Sequence, residues 1–142
     1  MIVRDAEPPD RADWQRLFLD YGVFYETEFG APVLDGVWSW LMEPAHEVKA
    51  VVAESDGELI GFAHYRRLAD TFTAMPAYFL DDLYTTPGAR GRGVGAALIA
   101  AVRERAGGAQ VRWITAADNT RAQGLYDRVA RRATWVTYEL GD

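Results

Sequence analysis

Leu80-Asp81-Asp82-Leu83-Tyr84-Thr85-Thr86-Pro87-Gly88-Ala89-Arg90-Gly91-Arg92-Gly93-Val94-Gly95 is the stretch on which the fold turns. Residues 78–85 read as a strand that Thr86-Pro87-Gly88 ends. Beyond the loop a helix opens: Val94, Ala97, Leu98, Ala101 and Val102 recur at helical spacing, and Gly107-Gly108 stops the pattern. The glycines between let the backbone turn sharply and come close to a ligand. Free N–H groups at a helix start, with the helix dipole, favour an anion. Arg90 and Arg92 add positive charge, so a phosphate or pyrophosphate is the natural ligand. The loop lacks the Gly-Lys-Ser/Thr ending of a P-loop. It also follows several strands, whereas a dinucleotide-binding loop follows the first. A glycine-rich turn with solvated arginines is the remaining local reading.

Outward from this stretch, residues 1–4 read as a first strand. Asp10, after Pro8-Pro9, is placed to cap a helix. The apolar stripe of that helix is Trp14, Leu17, Phe18, Tyr21, Phe24 and Tyr25. Residues 33–42 form a second short helix, with Val37, Trp38 and Leu41 on one face. A valine-rich strand at 47–54, the turn Ser55-Asp56-Gly57-Glu58 and a return strand at 59–66 make a hairpin. Residues 69–76 read as a loop. After the glycine stretch come a strand at 111–116, a helix face of Ala122, Leu125, Tyr126, Val129 and Ala130, and a closing strand at 135–140. An antiparallel front half joined to strand–helix–strand crossovers predicts one α/β domain over 1–142, a mixed sheet flanked by about four helices.

Composition narrows the chemistry. The chain has 142 residues, 49% of them hydrophobic, with five Trp and no cysteine. That suits one packed core and argues against disorder. Without cysteine there is no disulfide framework, thiolate metal site or cysteine nucleophile. His46 and His64 are too few for a histidine-rich metal site. No basic segment followed by an apolar run opens the chain, and no uncharged run approaches the ~20 residues that span a bilayer. A soluble, cytoplasmic protein without metal or membrane partners is expected. Residues 1–85 carry 16 acidic and 6 basic residues, residues 86–142 carry 5 and 9. The first half suits a cationic partner and the second an anionic one. A net charge of -6 disfavours nucleic acid, despite the Arg90-Gly91-Arg92-Gly93 string.

Two motifs in order carry a resemblance. Arg90, Gly93 and Gly95 match the Gln/Arg-x-x-Gly-x-Gly/Ala loop of the GNAT family of N-acetyltransferases. One strand later Asn119, Ala122, Leu125 and Tyr126 match that family's Asn followed by a helix with Ala and Leu-Tyr. Leu80-Asp81-Asp82-Leu83-Tyr84 is similar to a segment of members that acetylate polyamines and related small amines. Thr85 stands where those members often carry valine, and Val129-Ala130-Arg131 stands where Gly-Phe is frequent.

The resemblance implies an acetyl-CoA-dependent transferase acting on a primary amine, a polyamine or similar small cation, by direct attack through a tetrahedral intermediate. Acetylation of a protein lysine or N-terminus is the alternative substrate, and a non-catalytic acyl-CoA sensor the alternative class. The strand carrying Leu83, Tyr84 and Thr85 is expected to splay from the next and hold the pantetheine. Arg90, Gly91, Arg92, Gly93, Val94 and Gly95 would hold the pyrophosphate, with Asn119, Ala122 and Tyr126 opposite. Tyr126 would protonate the leaving thiolate, although its apolar stripe also fits plain packing, and Asn119 also fits a helix cap. A lysine-like amine, with pKa about 10.4, needs a base. Asp81, acting through water, is the candidate, with Asp82 turned to the other face of the strand as a substrate-binding acid. His64 reads as a core or surface residue. Tyr25 and Glu26 are substrate candidates, while Trp14 and Phe24 read as core. Homodimers are common in the family, and the strand at 135–140 is a candidate edge between subunits.

Overall fold

The computed structural model describes residues 1–141. Strands β1 (Ile2–Asp5), β2 (Val48–Ser55), β3 (Glu58–Asp70), β4 (Met75–Thr85) and β5 (Val111–Arg112) lie in that order in one sheet. The first four pair antiparallel and β4 pairs β5 in parallel, the mixed sheet expected. Helices α1 (Arg11–Phe24) and α2 (Ala31–Met42) precede β2, α3 (Val94–Ala106) joins β4 to β5, and α4 (Thr120–Val129) follows.

The period-two alternation of β2 explains the layers. Ala50 and Val52 face one side, with Trp14, Leu17 and Phe18 of α1 and Leu34, Trp38 and Leu41 of α2. Val51 and Ala53 face the other, with Val94, Leu98, Ala101 and Val102 of α3. A strand covered on both faces reads as an unbroken apolar run, which is why residues 50–53 are Ala-Val-Val-Ala. Burying each large apolar side chain of this kind is worth about 1.5–3 kcal/mol. Asp56 and Gly57, at φ 52° and 76°, form the tight primed turn that their pair predicts.

Several local expectations need correction. The β3–β4 hairpin is longer than the sequence suggests: Ala69 pairs with Pro76 and Asp70 with Met75. The Asp70 side chain closes its tip by accepting from Phe72 N–H at 3.0 Å and from the Thr73 hydroxyl at 3.2 Å. Asp10 stands at the N-cap of α1 without capping it. Its oxygens are held instead by the Arg4 guanidinium, at 2.7 and 2.9 Å, and by Glu7 N–H. Phe24 is exposed, not core, because ten residues of α-helix carry it about 80° round from Trp14. The strand expected at 111–116 shortens to two residues. Residues 135–140 form no strand: they lie exposed, with Trp135, Val136, Tyr138 and Leu140 against solvent. A strand needs a partner, and none on this chain lies beside them. Among the described residues no helix is long and apolar enough to cross a membrane.

Candidate active site

β4 and β5 pair only at Tyr78–Val111 and Phe79–Arg112. By Leu83, Tyr84 and Thr85, β4 still pairs with β3 but has no β5 partner, so the sheet opens. The wedge is a cleft of about 670 Å³ between β4, the start of α3 and α4. The splayed backbone presents unpaired polar groups to whatever fills it.

The glycine loop floors one end. Gly91 and Gly93 take φ of 79° and 78°, a left-handed conformation that side-chain-bearing residues avoid. Gly93 is the N-cap of α3, and no side chain caps that helix. Its first N–H groups have no intrahelical partner, and Gly93, Val94, Gly95 and Ala96 line the cleft. A Cβ on Gly95 would lie 2.9 Å from Leu125 Cδ2, so the glycine lets α4 close against α3. Arg90, Arg121 and Arg128 also line the cleft, and among the described residues no Asp or Glu does. An apolar slot along a strand edge, ending at free N–H groups and three guanidiniums, fits the pantetheine and phosphates of coenzyme A. Arg90 is braced by its bond to Thr85 carbonyl oxygen at 3.3 Å and lies over the Tyr84 ring.

Four phenols crowd the cleft: Tyr21 and Tyr25 from α1 and its end, Tyr84 from β4 and Tyr126 from α4. Tyr126 packs edge-on to Trp113 at 5.5 Å. Burial pushes its phenol above the ordinary range, with Tyr25 adding to the shift, so it stays protonated at neutral pH. Asn119 both lines the cleft and caps α4, accepting from Ala122 N–H at 3.2 Å.

The two carboxylates differ from expectation. His64 pairs with Asp82 and Tyr65 with Leu80, which leaves Asp81 as the extra residue of a bulge. Strict alternation would turn Asp81 and Asp82 to opposite faces. The bulge instead brings both to one face of β3, Asp81 beside Arg66 at 3.2 Å and Asp82 beside His64 at 2.9 Å. Burial raises the Asp81 carboxyl, Arg66 pulls it down, and Asp82 pushes it up again. Neither carboxylate lines the cleft, nor do Glu26 and Arg92. Leu83, Tyr84, Thr85, Arg90, Gly91, Gly93, Val94, Gly95, Asn119, Ala122, Tyr126 and Tyr25 all do. Sequence reasoning missed Tyr21, whose helical stripe looked like core, and Arg121 and Arg128, which carry no motif.

Fold and cleft together define a transferase that takes an acyl group from a phosphorylated carrier. Residues 6–130 match the model of the Acetyltransferase (GNAT) family, and the chain belongs to that family. It is 33% identical over 144 residues to the D-amino-acid N-acetyltransferase HPA3 of Saccharomyces cerevisiae, covering 98% of this chain and 89% of that protein. It is 29% identical over 144 residues to an aminoglycoside N(6')-acetyltransferase type 1 of Stenotrophomonas maltophilia, covering 92% and 82%. Its fold superimposes with a TM-score of 0.84 on aminoglycoside acetyltransferase AAC(6')-Iy in complex with a CoA-linked bisubstrate analogue, at 21% identity over 99% of this chain and 97% of that one. The chain is thus an acetyl-CoA-dependent N-acetyltransferase.

Proposed function

We propose that the acceptor is the primary amine of a small cationic molecule, a polyamine or a compound of similar charge, and that its nitrogen attacks the acetyl carbonyl directly. The observation that carries this is the aromatic mouth of the cleft. Tyr21, Phe24 and Tyr25 line it at the end of α1, and Phe24 and Tyr25 are exposed although large. Such rings hold an alkylammonium by cation–π attraction. The 16 acidic residues of the first 85 favour its approach.

Acetyl-CoA supplies an activated acetyl thioester. The unpaired groups of Leu83, Tyr84 and Thr85 hold it along the strand edge, and the arginines and α3 N–H groups hold its phosphates. Tyr126 donates its phenolic hydrogen towards the departing sulfur. A phenol above pKa 10 is a weaker acid than a thiol near 8.5, so full transfer is uphill by about 2 kcal/mol. The contribution of Tyr126 is therefore chiefly a hydrogen bond that strengthens as charge grows on sulfur. Tyr25 serves the acceptor side. Glu26, at φ 55°, lies outside the cleft lining and acts at most on approach.

The test is release of coenzyme A thiol from acetyl-CoA against spermidine, putrescine, lysine, D-amino acids, an aminoglycoside and a basic peptide. The chain has no cysteine, so a thiol reagent meets no protein background. Turnover is expected first with a polyamine. Tyr126→Phe should lose ~100-fold or more of it while binding acetyl-CoA normally. Preference for the peptide would move the acceptor to a protein, and acetyl-CoA binding without turnover by any amine would make the chain a sensor.

The exposed tail favours one further reading, a homodimer. α4 buries no residue, and the outer edge of β5 is open while residues 135–140 have no strand to pair with. A second copy meets both needs, the tail of each covering β5 and α4 of the other. Light scattering should give twice the chain mass, and a chain ending at Arg131 should give the mass of one.

A further inference from the structure

The buried side of the carboxylate pair carries an inference that rests on the amine reading above. We propose that Trp14 and His64 form a buried positioning pair that holds Asp82 as proton acceptor behind Tyr21, so that the amine's proton reaches Asp82 through the Tyr21 hydroxyl.

The hydrogen positions follow from donor chemistry. Trp14 is 0% exposed and His64 2%. Trp14 Nε1 lies 2.9 Å from His64 Nε2. An indole N–H only donates, so Nε2 must carry the lone pair. The ring is then neutral with its hydrogen on Nδ1, and Nδ1 donates to Asp82 Oδ2 at 2.9 Å. Two bonds fix tautomer, ring orientation and the aim of the carboxylate together. His64 cannot itself be the base. A proton on Nε2 would break the Trp14 bond and place a charge among Trp14, Phe18 and Phe62, whose ring centroids lie 5.9, 4.8 and 4.6 Å away.

Tyr21 is the link to the cleft, which it lines and Asp82 does not. Its ring shares the neighbours of His64, lying 6.2 Å from Phe18 and 6.0 Å from Phe62. Burial first, and then the nearby charge of Asp82, push its phenol well above the ordinary range, so Tyr21 stays protonated between the cleft and Asp82. The step balances. An ammonium N–H passes its proton to Tyr21 oxygen while the Tyr21 O–H proton passes to Asp82. The amine becomes neutral, Asp82 becomes a carboxylic acid, and Tyr21 and His64 end as they began. The proton returns to solvent by the same route once the amide has left. The ionisable groups facing Asp82 are Tyr21 from α1, His64 from β3, and Asp81 beside it, which Arg66 of β3 holds.

The test begins with the wild-type protein. The chain has two histidines, so the ring nitrogens of His64 can be assigned in ¹⁵N NMR against His46→Gln. The neutral ring should carry its hydrogen on Nδ1 and leave Nε2 bare; the opposite tautomer, with the hydrogen on Nε2, overturns the proposal. His64→Leu should lower kcat ~10-fold or more, short of the ~10²–10⁴ of removing a general base outright, with acetyl-CoA affinity unchanged. His64→Asn, which keeps a donor near Nδ1, should recover most of that loss, which a merely structural role of the ring would not allow. Tyr21→Phe should lower kcat while acetyl-CoA binds as before. A kcat within twofold of wild type in His64→Leu, or no rescue by His64→Asn, overturns the relay. Wild-type turnover of a non-amine acceptor alone overturns the amine reading, an outcome distinct from the NMR result.

Discussion

Gly93→Ala tests whether the loop acts by its backbone shape. Gly93 sits at φ 78°, with no atom within 4 Å of where a Cβ would stand. The substitution therefore meets a dihedral penalty and no clash. Placing an L-residue in this region costs ~1–2 kcal/mol. The loop is exposed and nothing packs on it, so the free variant relaxes to another conformation. Binding must then restore the original one, and ~1–2 kcal/mol is a factor of about 5–30 in Kd for acetyl-CoA. Folding stability behaves differently. An added methyl reduces the freedom of the unfolded chain, worth ~0.4–1 kcal/mol, which offsets about half of the strain. Tm should thus fall by about 5 °C at most. Gly88→Ala is the control: it also meets open space, but its φ is not positive. It should leave Kd unchanged. Calorimetric titration of both variants with coenzyme A, beside thermal melts, reads the two effects apart. Wild-type affinity in Gly93→Ala, or an equal loss in Gly88→Ala, would refute the dihedral account.

Two more outcomes follow from contacts already described. Gly95→Ala should weaken acetyl-CoA binding by prising α4 from α3, and adding Leu125→Ala should recover part of the loss, because the new Cβ meets only the end of that side chain at 2.9 Å; titration of the double variant decides it. Asp10 is held below its ordinary 3.8, first by its bonds to Arg4. A group with a lowered folded pKa stabilises above its unfolded value, and the gain is lost as pH falls through the folded one. Arg4→Met should therefore be less stable than wild type by a constant margin from pH 5 to 8, a margin that shrinks below about pH 4; denaturant melts across that range check the sign.

The fold was readable where a local rule and a tertiary need coincide. Asp56-Gly57 supplies the two positive φ angles of its turn, and β2 announces its double burial as an apolar run. Gly107 ends α3 in the left-handed conformation that its identity suggests. The failures share a cause. Met75, Pro76 and Ala77 look like loop, yet they pair with residues 68–70 across the hairpin, and pairing is not written in either partner alone. Trp135 to Leu140 shows the converse: the alternation is strand-like, but this chain provides no neighbour for it.

At the site the same distinction separates the cofactor side from the acceptor side. The proposed coenzyme A side is built from backbone shape, and backbone shape leaves glycines in the sequence at fixed intervals. The acceptor machinery is held by side chains that meet from α1, β3 and β4, residues 14, 21, 64 and 82, with no shared local spacing. One bulge decides their roles. Counted on from Leu80, strict alternation would turn Asp81 to the α1 side and Asp82 to the α3 side; counted back from Leu83, it would turn Asp82 to the α1 side and Asp81 to the α3 side. With it, Leu80 and Leu83 stay in the α3-side core while both acids between them turn to the α1 side. The extra residue at Asp81 thus gives β4 two adjacent carboxylates on one face, one neutralised by Arg66 and one held by His64. Deleting Asp81 should accordingly restore strict alternation with Leu80 still opposite Tyr65 and Asp82 still opposite His64, so the His64–Asp82 hydrogen bond, read from the ring ¹⁵N shifts, should survive in that variant, and its loss would refute the assignment of Asp81 as the extra residue.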